Sequence, residues 1–182
     1  DQKNLAVAKA QLLNSFKEEN LAVSKNLANS LKNAEISNTV KFARKIDDIL
    51  TEAESYLGTP YRYGGMTRNG IDCSAFVLSV FGAVAGVNLP RVAASQAQEG
   101  EKIEKGNLEK GDLVFFSHGK GRISHVGIVE SVTADGDIKF IHAATSKGVM
   151  ISSLADSYWG PKYRFAKRVL SRDFFNSNFA TN

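Results

Sequence analysis

Cys73, His125 and His142 are the side chains of this 182-residue chain whose types and settings best suit covalent chemistry. Cys73 lies in Ile71-Asp-Cys-Ser-Ala-Phe-Val, where a loop passes into a helix. A thiol on the first turn of a helix meets the positive end of the macrodipole and unpaired backbone N–H groups. Both favour thiolate and can bring a thiol from about 8.5 down to roughly 3.5–7.5. The same N–H groups suit an oxyanion formed when a thiolate attacks a carbonyl. Asp72 acts the other way, because an adjacent carboxylate disfavours a second negative charge. Three uses of the thiol stay open on these grounds: inert core residue, nucleophile, or metal ligand. A core cysteine would more naturally sit mid-helix, among Phe76, Val77 and Val80.

His125, in Ser124-His-Val-Gly-Ile-Val, and His142, in Phe140-Ile-His-Ala-Ala, both read as strand residues with few polar neighbours. Period-two alternation puts His125 on one face with Gly127 and Val129, and His142 with Phe140 and Ala144. A single histidine on an apolar strand face is more often a satisfied core residue than a functional one. Two on paired strands plus one helix-start thiol supply a nucleophile, a base and a group to orient the base, the requirement for acyl transfer. His118, in Ser117-His-Gly-Lys-Gly-Arg, reads as a solvated turn residue. Zinc is the competing use of Cys73, His125 and His142, but their spacing matches no compact zinc motif. No metal and no cofactor are expected.

The elements that must position these residues change character at Gly58. Residues 1–50 hold no glycine or proline, and apolar residues such as Leu5, Leu12, Phe16, Val23 and Leu27 recur at helical spacing. The pattern predicts a long helix to about Asn33, a break over 33–39, and a second helix to Leu57, stopped by Gly58 and Pro60. Such a segment is a plain amphipathic helix, or a spacer or docking arm. All 15 glycines and all 3 prolines lie from Gly58 onward. Residues 75–85 are apolar almost all round and predict a buried helix ended by Gly86. A short helix is expected over 91–99, then strands over 112–116, 124–132, 138–143, 149–152 and 163–169. Asp135-Gly136 suits a hairpin turn. Helix first and antiparallel strands after it predict an α+β fold, with residues 1–50 an N-terminal helical segment and 51–182 the catalytic domain.

Composition narrows the function. Apolar residues make up 43% and charged residues 23%, as in ordinary folded proteins. The net charge of +4 is spread evenly, with 8 basic and 6 acidic groups in 1–50 against 15 and 13 in 51–182, so a nucleic-acid footprint is not expected. One cysteine excludes an internal disulfide framework. The longest apolar stretch, 75–89, is interrupted by Ser79, Gly82, Gly86 and Asn88, so no integral membrane span is expected where about 20 apolar residues are needed. The start at Asp1, with no Met and no charged-then-apolar leader, suggests a mature or trimmed chain.

From about residue 49 to 169 the sequence resembles the NlpC/P60 cysteine peptidases, which trim the peptides of bacterial peptidoglycan. The resemblance rests on Leu57-Gly-Thr-Pro-Tyr-Arg-Tyr-Gly-Gly, Gly70-Ile-Asp-Cys-Ser-Ala-Phe-Val, Leu89-Pro-Arg, Gly111-Asp-Leu-Val-Phe-Phe, Ser124-His-Val-Gly-Ile-Val-Glu and Phe140-Ile-His-Ala. It implies a papain-like core, with a buried nucleophile-bearing helix packed on an antiparallel sheet. It also implies a Cys-His-His triad: Cys73 as nucleophile, His125 as general base, His142 as the group that fixes the imidazole. Tyr61 corresponds to the tyrosine beside the nucleophile, and Asp72 and Ser74 to positions that shape a substrate subsite. Arg91, with Arg62, Arg68 and Arg122, is a candidate for binding the free carboxylates of stem peptides. The small murein endopeptidases of Gram-negative envelopes are the nearest likeness. The implied partner is a peptidoglycan stem peptide, cut at a D-glutamyl–diamino acid bond or at a D-Ala–diamino acid cross-link. The implied place is the bacterial envelope, periplasmic or secreted, or held there as a lipoprotein whose leader has been removed. Two departures stand out: Ala75 replaces the glycine common after Asp-Cys-Ser, and residues 1–50 resemble no family motif. A peptidoglycan-binding protein with little catalysis, and an amidase or acyltransferase on other γ-linked substrates, are the alternatives.

Overall fold

The computed structural model describes residues 2–179. The first helix, α1, runs without interruption from Gln2 to Glu54, so the expected break over 33–39 does not occur. The polar run of Asn33, Ser37, Asn38 and Thr39 costs only a few tenths of a kcal/mol per residue. No glycine or proline is present to stop the ladder, and the Thr39 hydroxyl donates back to the Glu35 carbonyl at 3.0 Å. The chain divides into two units, at 41/42. In the first, the large apolar side chains of α1, among them Leu5, Phe16 and Leu27, are exposed.

The second unit takes in the last turns of α1, earlier than the expected boundary at 50/51, because Ile46, Ile49, Leu50 and Ala53 are buried in its core. A two-strand hairpin follows, β1 (Met66–Thr67) with β2 (Gly70–Ile71), and then helix α2 (Cys73–Ala85) and the single turn α3 (Ala93–Gln96). The strands are β3 (Glu101–Ile103), β4 (Leu113–Phe116), β5 (His125–Val132), β6 (Ile138–Ala144), β7 (Gly148–Ser153) and β8 (Tyr163–Arg168), before the closing helix α4 (Arg172–Phe179). They form one six-stranded sheet in the order β3-β8-β4-β5-β6-β7, with every neighbouring pair antiparallel. This is the expected α+β arrangement, and Asp135-Gly136 joins β5 to β6.

Strand alternation sorts the core onto the two faces of the sheet. Leu113, Phe115, Val126, Ile128, Ile141 and Ala143 pack with Phe76, Val77, Val80 and Phe81 of α2. Burial of each of those large side chains is worth about 1.5–3 kcal/mol, which clamps the helix on the sheet. Val114, Phe116, Val129 and Phe140 face the other way, against Leu154 and Trp159. His125 and His142 belong by alternation to this second face. Gly86 closes α2 in the left-handed region at φ 62°, where glycine carries no Cβ penalty.

Candidate active site

Asp72 starts α2. Its backbone is extended and its Oδ1 accepts the Ala75 N–H at 2.9 Å, filling one of the donors a helix start leaves open. Oδ2 accepts the Gly64 N–H at 3.0 Å. Arg91 closes a two-pronged pair on the carboxylate, with Nη1 to Oδ1 at 3.0 Å and Nη2 to Oδ2 at 2.7 Å, and also donates to Ser74 Oγ at 3.1 Å. Gln96, fully buried on α3, ties the segment down by donating Nε2 to the carbonyls of Ser74 at 3.0 Å and Pro90 at 2.8 Å. Burial pushes the Asp72 carboxyl up, but the bonds from Arg91, Ala75 and Gly64 and the Arg91 charge outweigh it and hold it below its ordinary value.

Fixed in this way, Cys73 is buried on the first turn, with 8% of its surface exposed. Burial, and then the Asp72 charge, push its thiol above the ordinary value, while N–H groups of Val126, Ser74 and Cys73 itself pull the other way. The lowering expected from the helix start is therefore outweighed by desolvation, and the resting form is the thiol. Cys73 shares its apolar cluster with Val126, the residue after His125, and its cleft with Ser124, the residue before it, so the sulfur lies toward the entry of β5.

His125 and His142 meet across β5 and β6. His125 Nε2 lies 2.8 Å from His142 Nδ1, and the remaining nitrogen of His142, Nε2, lies 2.9 Å from Ser152 Oγ on β7. Glycine at 127 allows this approach, since a Cβ there would stand 2.8 Å from the Phe140 ring and 3.2 Å from His142 Cβ. Trp159 stacks on His125 at 4.7 Å and 23°, and stands edge-on to His142 at 4.8 Å. In this apolar setting both rings are neutral. Burial carries His142 down to about 3, and burial, His142 and His118 carry His125 well below the ordinary imidazole value. A thiolate–imidazolium pair can form only as a unit, each charge supplying what the other lacks.

A cleft of about 530 Å³ opens over the sulfur, lined by Tyr61, Asp72, Cys73, Ser74 and Arg91 among others. Tyr61 is partly buried, and burial first, then the negative charge of Asp72, push its phenol above the ordinary value. Arg122 also lines the cleft. Arg68 does not: it pairs with Glu52 at 3.2 Å and covers the Tyr56 ring, and Arg62 packs along Gly70. Neither of those two lines the cleft. His118 is exposed, in contact with Ser124 at 3.0 Å. Among the described residues no cluster of three or more His, Cys, Asp or Glu could hold a metal ion.

Three residues of the site have no mark in the sequence. Gln96, Ser152 and Trp159 reach it through tertiary packing, and only the alternation of β7 hints at Ser152, by setting it on the face of Met150.

A mixed fold with a thiol at a helix start and paired strand histidines at the sheet defines a papain-like class of thiol hydrolases. The NlpC/P60 family model matches residues 58–168, and the chain belongs to that family. It is 45% identical over 138 residues to a probable endopeptidase, NlpC, of Escherichia coli, covering 75% of this chain and 84% of that protein. Against the murein DD-endopeptidase MepS/murein LD-carboxypeptidase of Escherichia coli it is 42% identical over 139 residues, 76% of this chain and 70% of the other. Among solved structures, an NlpC/P60 family protein from Bacillus cereus superposes with a TM-score of 0.62 at 31% identity, over 69% of this chain and 40% of that one.

Proposed function

We propose that the protein is a peptidoglycan peptide hydrolase, a cysteine endopeptidase that cuts amide bonds in cell-wall stem peptides through Cys73, His125 and His142. The observation that carries the reading is the 2.8 Å His125–His142 contact at the start of β5, next to the cleft that Cys73 and Ser124 line together. With Nε2 of His125 committed to His142, Nδ1 is the nitrogen left to take the thiol proton. The sulfur then attacks the carbonyl, and the oxyanion meets N–H groups of the helix start and the protonated Tyr61 phenol. Protonated His125 gives its proton to the leaving amine, and water, activated by the same nitrogen, hydrolyses the thioester. His142 accepts from His125 Nε2 and holds the ring in the productive tautomer.

The paired charges of Asp72 and Arg91, with Ser74 between them, give one wall of the cleft both an anion and a cation. That wall suits the amine and carboxylate ends of a stem peptide. The relative named as a murein DD-endopeptidase supports the same class of substrate, and the one named as a probable endopeptidase the same class of reaction. The envelope is then the place of action, for a secreted or a lipid-anchored form alike; no helix among the described residues is long and apolar enough to cross a membrane. The test is mass spectrometry of defined muropeptides, both free stems and cross-linked dimers, incubated with wild type and Cys73→Ala. Wild type alone is expected to release products, whose masses name the bond. Release by both proteins, or by neither, would reject the proposal.

A further inference from the structure

We infer that Ser152 is a positioning residue of the site, the end of a three-member chain that sets which nitrogen of His125 faces the thiol as a base. The inference rests on the functional reading above. His142 is fully buried, and both its ring nitrogens are engaged: Nδ1 with His125 at 2.8 Å, Nε2 with Ser152 Oγ at 2.9 Å.

Between two neutral imidazoles at 2.8 Å there is one proton, so the chain has two directions. In one, His125 Nε2–H donates to His142 Nδ1, His142 Nε2–H donates to Ser152 Oγ, and His125 Nδ1 is a bare lone pair. In the other, the Ser152 hydroxyl donates to His142 Nε2, His142 Nδ1–H donates to His125 Nε2, and His125 Nδ1 already carries its proton. Only the first direction can accept the Cys73 proton.

Ser152 makes that direction affordable because its oxygen receives the proton of an imidazole that no water reaches. Its backbone lies on β7 opposite Phe140, two residues from the position opposite His142, so the contact is diagonal and fixed by the strand register. Ser152 is itself only half-buried, which leaves solvent to satisfy its own hydroxyl proton. Without the hydroxyl, the first direction strands a buried N–H, whereas the second strands only a lone pair, a less costly vacancy. The productive tautomer is then the one that loses.

The experiment measures kcat and KM on a stem peptide for wild type, Ser152→Ala and Ser152→Thr, together with the imidazole ¹⁵N shifts of the resting proteins. With 3 histidines in the chain, His142 can be assigned directly. Ser152→Ala is expected to lower kcat by about tenfold or more with KM nearly unchanged, the size expected for an unpaired buried donor. His142 should shift from Nε2–H toward Nδ1–H in that variant. Ser152→Thr, which keeps the hydroxyl, should restore both readings. An unchanged His142 tautomer in Ser152→Ala overturns the inference, and so does an equal loss of kcat in the threonine variant. Should wild type turn over no stem peptide, the functional reading fails, and the ¹⁵N shifts alone still decide the claim about Ser152.

Discussion

Lowering the pH from 7.5 to 5.0 should destabilise the fold through His142 in particular. Burial holds this imidazole at about 3 in the folded chain, against about 6.5 when unfolded. The sign follows from proton counting. Below pH 6.5 the unfolded chain takes up a proton at this position and the folded chain does not, so stability falls as pH falls, down to the folded value. At about 1.36 kcal/mol per pH unit, the 1.5 units between 6.5 and 5.0 amount to about 2 kcal/mol from this one residue. His125, also depressed by burial, adds a loss of the same sign. Asp72 is held low, so its contribution is lost only in more acid solution, as pH falls through its depressed folded value, and leaves this window clear. Urea unfolding under reducing conditions, followed by Trp159 fluorescence, would be compared at the two pH values for wild type and His142→Asn. Asparagine keeps an acceptor for His125 and removes the titration. The wild-type loss should exceed that of the variant by about 2 kcal/mol. An equal loss in both would refute the claim that His142 is held neutral by burial.

Three further perturbations test the packing of the fold and the electrostatics of the site. Gly127→Ala places a Cβ 2.8 Å from the Phe140 ring and 3.2 Å from His142 Cβ, and should cost about 1–3 kcal/mol and lower kcat as the imidazoles separate. Gly82→Ala, in the interior of α2 with nothing closer than the Val87 carbonyl at 4.0 Å, should instead raise the melting temperature, by about 0.5–1 kcal/mol of added stability. Asp72→Asn keeps a helix-capping acceptor but removes the charge that raises the Cys73 thiol, so iodoacetamide should alkylate Cys73 faster near neutral pH. A slower reaction in the variant would mean that Asp72 does not act on the sulfur through its charge.

The strands from β4 to β8 were legible as short apolar runs bounded by turn residues, β4 being buried on both faces, and the longer apolar run of 75–85 as a buried helix. β1, β2 and β3 span two or three residues each, too few for a period to show. The break expected over 33–39 failed for a thermodynamic reason, since weak helix formers lower stability without interrupting the hydrogen-bond ladder. In the site, Cys73, His125 and His142 were visible because few residue types do acyl-transfer chemistry, and the structure brings the two histidines into contact. Tyr61, Asp72, Ser74 and Arg91 line one cleft with Cys73. Arg62 and Arg68 illustrate the opposite case: a guanidinium has many uses on a surface, and only the Glu52 pair and the Tyr56 ring reveal which one Arg68 serves. The sequence set the helix start against the Asp72 charge and left the direction of the Cys73 shift open, because the depth of burial that decides it leaves no mark in sequence.

The most direct test of the account is to catch the covalent intermediate. Wild type mixed with a stem peptide and quenched in acid within milliseconds should gain the mass of the acyl half of the substrate, mapped by peptide sequencing to Cys73. Cys73→Ala should gain nothing. Product release by wild type with no adduct at any quench time, while Cys73→Ala still turns over, would contradict a thioester on Cys73.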